Sequence, residues 1–127
     1  MPETSYTVHG VRILEYSAEG PLLDNDRAAM DIIGNASSSS AELVVIPIER
    51  FSLDFFQLRT RLAGDLLQRF VNYRLRLAII GDLSKPLAES QALQALVRES
   101  NRGAQIWFLP TIDELKLKLA PAQKIPS

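Results

Sequence analysis

The fold is decided by residues 51–82, FSLDFFQLRTRLAGDLLQRFVNYRLRLAIIGD, which read as a long, mostly buried helix running straight into a buried strand. At about 100° per residue, Phe55, Phe56, Leu58, Leu62, Ala63, Leu66, Leu67 and Phe70 fall within one half of the circumference. So wide an apolar arc suits a helix packed broadly on a sheet. Ser52 is the expected N-cap, with Asp54 in the first turn facing the positive end of the helix dipole and Asn72 marking the far end.

Two features break this pattern. Arg59 projects from near the middle of the apolar arc, and a buried guanidinium needs acceptors or a route to an edge. On the opposite arc Thr60, Gly64, Gln68 and Asn72 form an i, i+4 ladder. A mid-helix glycine costs up to about 1 kcal/mol relative to alanine, so another backbone is expected to approach it closely.

Working outward, residues 5–8 and Val11–Tyr16 form a predicted strand pair closed by His9-Gly10. A loop through Gly20-Pro21 leads to a short helix over residues 25–33, capped by Asp24 and ended by Gly34-Asn35. Residues 37–40 are four serines, read as a flexible connector. Residues 43–48 are a continuous apolar strand covered on both faces, with Pro47 tolerated only near its end.

After the long helix come a strand over residues 75–80, a loop over 83–89 and a helix from the Ser90 cap to about Asn101, with Gly103 as left-handed terminator. The last strand covers residues 105–109. Thr111 to Glu114 is a capping box opening a final helix to about Leu119. The order β-β-α-β-α-β-α-β-α predicts one compact α/β domain over residues 1–120 and a flexible tail over 121–127. Its sheet is mainly parallel, flanked by helices, with an antiparallel N-terminal strand.

With 127 residues the chain suits one domain, long enough to bury a core without staples. There is no cysteine and a single histidine, His9, which excludes disulfides, thiolate sites and multi-histidine metal centres. No cofactor and no metal is expected. The net charge of −1 favours no partner class. The start MPETSYTV has no basic region followed by an apolar run, and no apolar run is long enough to span a bilayer. A cytoplasmic address without membrane attachment is the default expectation.

Parallel topology gathers Glu49, Arg50, Ser52, Asp54, Asp82, Ser84 and Thr111 at the strand C-termini, where open α/β sheets bind ligands. Arg59 is expected to lean towards Asp82 or Glu49 there. As a site residue it would hold an anionic group; the preferred reading is a structural clamp, because both acids are already in the chain. Asp82 is in turn read as its partner or as a loop cap. Ser52 is read as a cap rather than a modification switch. The Thr60, Gly64, Gln68, Asn72 ladder is either an internal packing seam or a homodimer face. Residues 99–103 are expected to end their helix and tether it to Asn72 or Tyr73.

Six arginines between Arg50 and Arg76 invite a nucleic-acid reading. Arg61 and Arg69 each stand four residues from Asp65, and no aromatic platform is interleaved, so a solvated helix face is expected instead. No phosphate loop, dinucleotide fingerprint, nucleophile elbow or zinc spacing is present.

The stretch FFQLRTRLAGDLLQRFVNYRLRLAIIGD, followed by ESNRG, closely resembles the bacterial domain-of-unknown-function family 4180 over residues 11–119. Arg61 and Asp65 depart from that pattern, both off the buried face. More distantly the layout resembles the sulfate-transporter and anti-sigma-antagonist (STAS) domains, although their serine motif is absent. That resemblance implies a module binding protein partners or small ligands, some switched by a phosphorylated serine at a helix start, a place comparable to Ser52. Together these readings imply a non-catalytic binding or regulatory module with a protein partner or small anionic ligand. The rival is a small enzyme or ligand carrier working at the Arg59 and Asp82 edge. An enzyme needs a pocket with a perturbed titratable group; an interaction module needs an exposed apolar patch.

Overall fold

The protein, seen in a computed structural model that describes residues 3–57 and 61–120, is built on one five-stranded sheet. Strands β1 (Glu3–Val8) and β2 (Val11–Tyr16) form the antiparallel hairpin, and β3 (Leu43–Pro47), β4 (Arg76–Ile80) and β5 (Ile106–Leu109) follow in parallel. Spatial order equals chain order, β1 to β5. The helices are α1 (Asp26–Ser38), α2 (Leu62–Asn72), α3 (Ser84–Glu89), α4 (Gln91–Arg102) and α5 (Ile112–Leu119).

When each right-handed crossover steps to the next strand in one direction, all connecting helices land on one face. The core divides accordingly. Leu14, Val44, Ile46, Leu77, Ile79 and Phe108 pack with Ile32 and Ile33 of α1 and with Leu66 and Phe70 of α2. The other face holds Ile13, Leu43, Val45, Ala78 and Trp107 against Leu115 of α5. Both faces of β3 and β4 are thus covered, which is why those strands are uninterrupted apolar runs.

The long helix expected from Ser52 to Asn72 is instead a series of short pieces. Ile48–Arg50 and Leu53–Phe56 are 3-10 turns, and α2 begins only at Leu62 after Arg61 in a left-handed conformation, φ 64°. Leu58, Arg59 and Thr60 lie outside the described residues. Tertiary ties hold this segment at the sheet edge. The Leu23 amide donates to the Arg50 carbonyl at 2.6 Å, and Phe51 forms a bridge with Leu23. Phe51, Phe55 and Phe56 then pack together in tilted and edge-to-face pairs, with centroid distances of 4.4, 5.1 and 6.4 Å.

The expected N-cap role of Ser52 fails with that helix: its hydroxyl caps nothing, and its Oγ is buried without a hydrogen-bond partner.

Helix α1 starts after Asn25, whose side chain accepts from the Ala28 amide at 2.8 Å, so the cap is Asn25 and not Asp24. It also runs through Gly34-Asn35 into the serine run. Ala36 is buried in the core, and Asn35 Nδ2 donates to the Tyr16 hydroxyl at 3.1 Å, so tertiary contacts carry the helix past its local stop signal. Ser39 Oγ donates to the Asn35 carbonyl, and Ser40 takes the left-handed turn at φ 58°. The serines are therefore a helix end, not a connector.

Helix α3 occupies the stretch expected to be a loop, and Pro86 fits because first-turn amides lack helical acceptors. The Ser90 and Thr111 caps form as expected, accepting from the Leu93 and Glu114 amides. Gly103 is extended rather than left-handed.

Asn101 tethers α4 to β5 instead of to Asn72 or Tyr73: its Nδ2 donates to the Phe108 carbonyl at 3.0 Å, and its Oδ1 accepts from the Phe108 amide at 2.7 Å. Trp107 Nε1 donates to the Gly103 carbonyl at 2.8 Å, and Arg76 and Lys118 both lie over the indole.

The buried guanidinium among the described residues belongs to Arg50, only 6% exposed, and not to a solvated helix face. Its Nε donates to the Pro21 carbonyl at 2.8 Å, and its Nη1 to those of Ser17 and Glu19 at 3.0 and 3.4 Å. Among the described residues its hydrogen bonds go to backbone carbonyls and none to a carboxylate. Arg69 likewise pairs with Asp26 at 2.5 Å, not with Asp65, as an exposed bridge of little energetic weight.

Candidate functional site

Where β3 and β4 end, the chain turns away on both sides and leaves an open groove of about 580 Å³. Ile48 and Leu83 form its base. Leu53 and Phe56 of the second 3-10 turn make one wall, and Pro86 and Glu89 of α3 with Ala92 of α4 make the other. Leu53 is 82% exposed although its neighbour Phe55 is fully buried, so the turn offers a bare isobutyl group to the groove. Gln57, Asp82, Lys85, Glu89 and Ser90 bring polar groups to the same space.

Gly81 permits this exit. Its φ is 149°, and a Cβ there would stand 2.5 Å from Ile48 Cγ1, so only glycine lets β4 leave beside the groove floor. Asp82 follows directly. Its carboxylate accepts from the Ser84 amide at 2.9 Å and from the Ser84 hydroxyl, an arrangement that caps α3. Those hydrogen bonds hold its carboxyl below the usual aspartate range. A smaller cavity of about 210 Å³ adjoins it, sharing Asp82 and Leu83 and reaching Val97 and Phe108.

The expected site residues are thus only partly brought together. Asp82 lines the groove. Glu49 is exposed in the first 3-10 turn and is not part of the lining, and the Ser52 hydroxyl faces inward. Arg59 and Thr60 lie outside the described residues. Gly64, Gln68 and Asn72 are exposed on α2, with Gln68 Nε2 donating to Asn72 Oδ1 at 2.9 Å. Among the described residues nothing lies within 4 Å of a Cβ on Gly64, which speaks against the internal-seam reading there. A separate open groove of about 500 Å³ runs beside it between α1 and α2, crossed by the Arg69–Asp26 bridge.

Sequence reasoning missed Leu53, Phe56, Lys85, Pro86 and Glu89 as site residues. Leu53 did leave a trace, as an apolar residue off the arc assigned to the core. Among the described residues no group of three potential metal ligands occurs, and no helix is long and apolar enough to cross a membrane.

Fold and groove together define a small α/β module with an open, largely apolar cleft at the C-terminal ends of its parallel strands. The chain belongs to the family described as a domain of unknown function (DUF4180), whose model matches residues 8–119. No curated protein and no solved structure matches it.

Proposed function

We propose that this protein is a non-catalytic binding module whose groove between Leu53 and Pro86 takes a small ligand with an apolar body and a hydrogen-bond-donating end. The carrying observation is the exposure of Leu53 over a cleft at the strand C-terminal edge. Its volume, about 580 Å³, is in the range of small-molecule sites. Apolar surface from Ile48, Leu53, Phe56 and Pro86 would cover the ligand body. Among the described lining residues Asp82 and Glu89 outnumber Lys85, which favours an amine or hydroxyl over an anion at the polar end. The expected anionic ligand depended on Arg59.

Binding is favoured over catalysis because the Asp82 carboxylate is occupied by Ser84 and held low, the opposite of a group poised to exchange protons near neutrality. A phosphoserine switch at Ser52 finds no support, since its hydroxyl is buried. A regulatory role and a cytoplasmic address remain parts of the proposal.

A thermal-shift screen with a metabolite library, run alongside native mass spectrometry of the purified protein, tests the reading. Hits should raise the Tm of the wild type but not of Ala92→Trp, which fills the groove from the first turn of α4. A screen without hits, or hits that stabilise both proteins equally, contradicts it.

A further inference from the structure

The two edges of the sheet are finished differently. At β5 the Asn101 side chain occupies both the amide and the carbonyl of Phe108, so the strand cannot readily accept another. At β1 nothing comparable is found among the described residues. The tight turn at His9-Gly10 makes Val8 and Val11 a hydrogen-bonded pair, and the pairs Tyr6–Ile13 and Thr4–Glu15 follow at alternate positions. The amides and carbonyls of Glu3, Ser5 and Thr7 therefore point outward. Glu3–Val8, ETSYTV, carries no proline or lysine, and its register with β2 is unbroken by any bulge. Natural edges normally use one of those devices to refuse a partner.

We propose that β1 is a self-association edge, on which a second copy of this chain pairs antiparallel about a two-fold axis at Ser5. That register sets Ser5 opposite Ser5 and Glu3 opposite Thr7 of the second copy, so the outward-pointing groups are the ones that meet. It is isologous, as a closed dimer requires. The charges agree as well. Arg12 lies beside Thr7 in the hairpin, so each cross-sheet row runs Arg12, Thr7, then Glu3 of the second copy, with opposite charges flanking a small residue. On the other face Tyr6 meets Thr4 of the second copy in the closer, non-hydrogen-bonded type of pair. Its hydroxyl is already anchored on Glu15 Oε1 at 2.6 Å. This inference is independent of the groove, which lies at the ends of β3 and β4.

Sedimentation over a concentration series should show the wild type dimerising. Ser5→Pro should shift it to monomer, because the lost amide faces away from β2 and the hairpin keeps its own bonds. Ser5→Lys should do the same by placing like charges together at the axis, and it serves if the proline variant does not fold. Ser5→Glu should also be monomeric, and mixing it with Ser5→Lys should restore the dimer. A wild type that is monomeric throughout, a Ser5→Lys protein that still dimerises, or a mixture that stays monomeric overturns the proposal. So does a dimer dissolved by Gly64→Leu but not by Ser5→Lys, which would place the interface on α2.

Discussion

The Arg50 guanidinium lies so close to Gly20 that a Cβ at residue 20 would stand 2.8 Å from its Cζ. Gly20 also holds φ 144°, a backbone conformation closed to other residues, so the loop closes over the cation only with glycine there. Gly20→Ala should therefore destabilise the protein by about 2 kcal/mol or more. Arg50→Met, which strands three carbonyls, should cost roughly 2–4 kcal/mol, and Arg50→Lys should recover little of it because an ammonium cannot reproduce the fork. Urea unfolding of the three variants checks both.

Asn101 serves Phe108 as a substitute neighbouring strand. Asn101→Ala leaves an amide and a carbonyl without partners at the edge of β5, an expected loss of about 1–3 kcal/mol. Hydrogen exchange at the Phe108 amide should accelerate in this variant while the Leu77 amide, bonded to the Gln105 carbonyl in the sheet interior, changes less.

At Gly64 the opposite sign is expected. The position is helical, exposed and open, so Gly64→Ala should stabilise α2 by about 0.5–1 kcal/mol in thermal or chemical unfolding. Destabilisation would mean that a neighbouring backbone occupies that face.

The pKa values of Asp82, Tyr6 and Tyr16 are shifted on folding, that of Tyr16 being raised chiefly by burial. Asp82 has its pKa lowered on folding, so the stability it supplies is present above the ordinary aspartate value and disappears as pH falls through the depressed one. Asp82→Asn should flatten the acid limb of the stability curve. Tyr6 is raised by burial and by its bond to Glu15, so its contribution is full below the ordinary tyrosine value and declines as pH rises beyond it. Tyr6→Phe should flatten the alkaline limb.

The strands were legible because each states its burial locally: β2 in the sequence after the His9-Gly10 turn, β3 and β4 as short runs of Leu, Val, Ile and Ala. The Ser90 and Thr111 caps were legible for the same reason. What periodicity could not register was contact between distant segments. The bond from Leu23 to Arg50 pins the start of this segment, and the helix that the phasing of Phe55 to Phe70 allows is broken between Gln57, which is extended, and Arg61, which is left-handed. The burial of Ala36 extends α1 beyond a glycine and asparagine that ordinarily end one. The buried cation found among the described residues is Arg50, whose acceptors come from a loop about thirty residues earlier, a contact that no local pattern records. The groove was half visible: Asp82 was placed at the right edge, but its second wall is α3, in a stretch whose proline and serine read as a loop.

Amide chemical shifts recorded while a thermal-shift hit is titrated test the central claim most directly. The account predicts that perturbations concentrate at Ile48, Leu53, Phe56, Leu83, Lys85 and Glu89, and that Leu53→Asp abolishes them. Perturbations gathered instead on Gln68 and Asn72 of α2, with the Leu53 region silent, would contradict it.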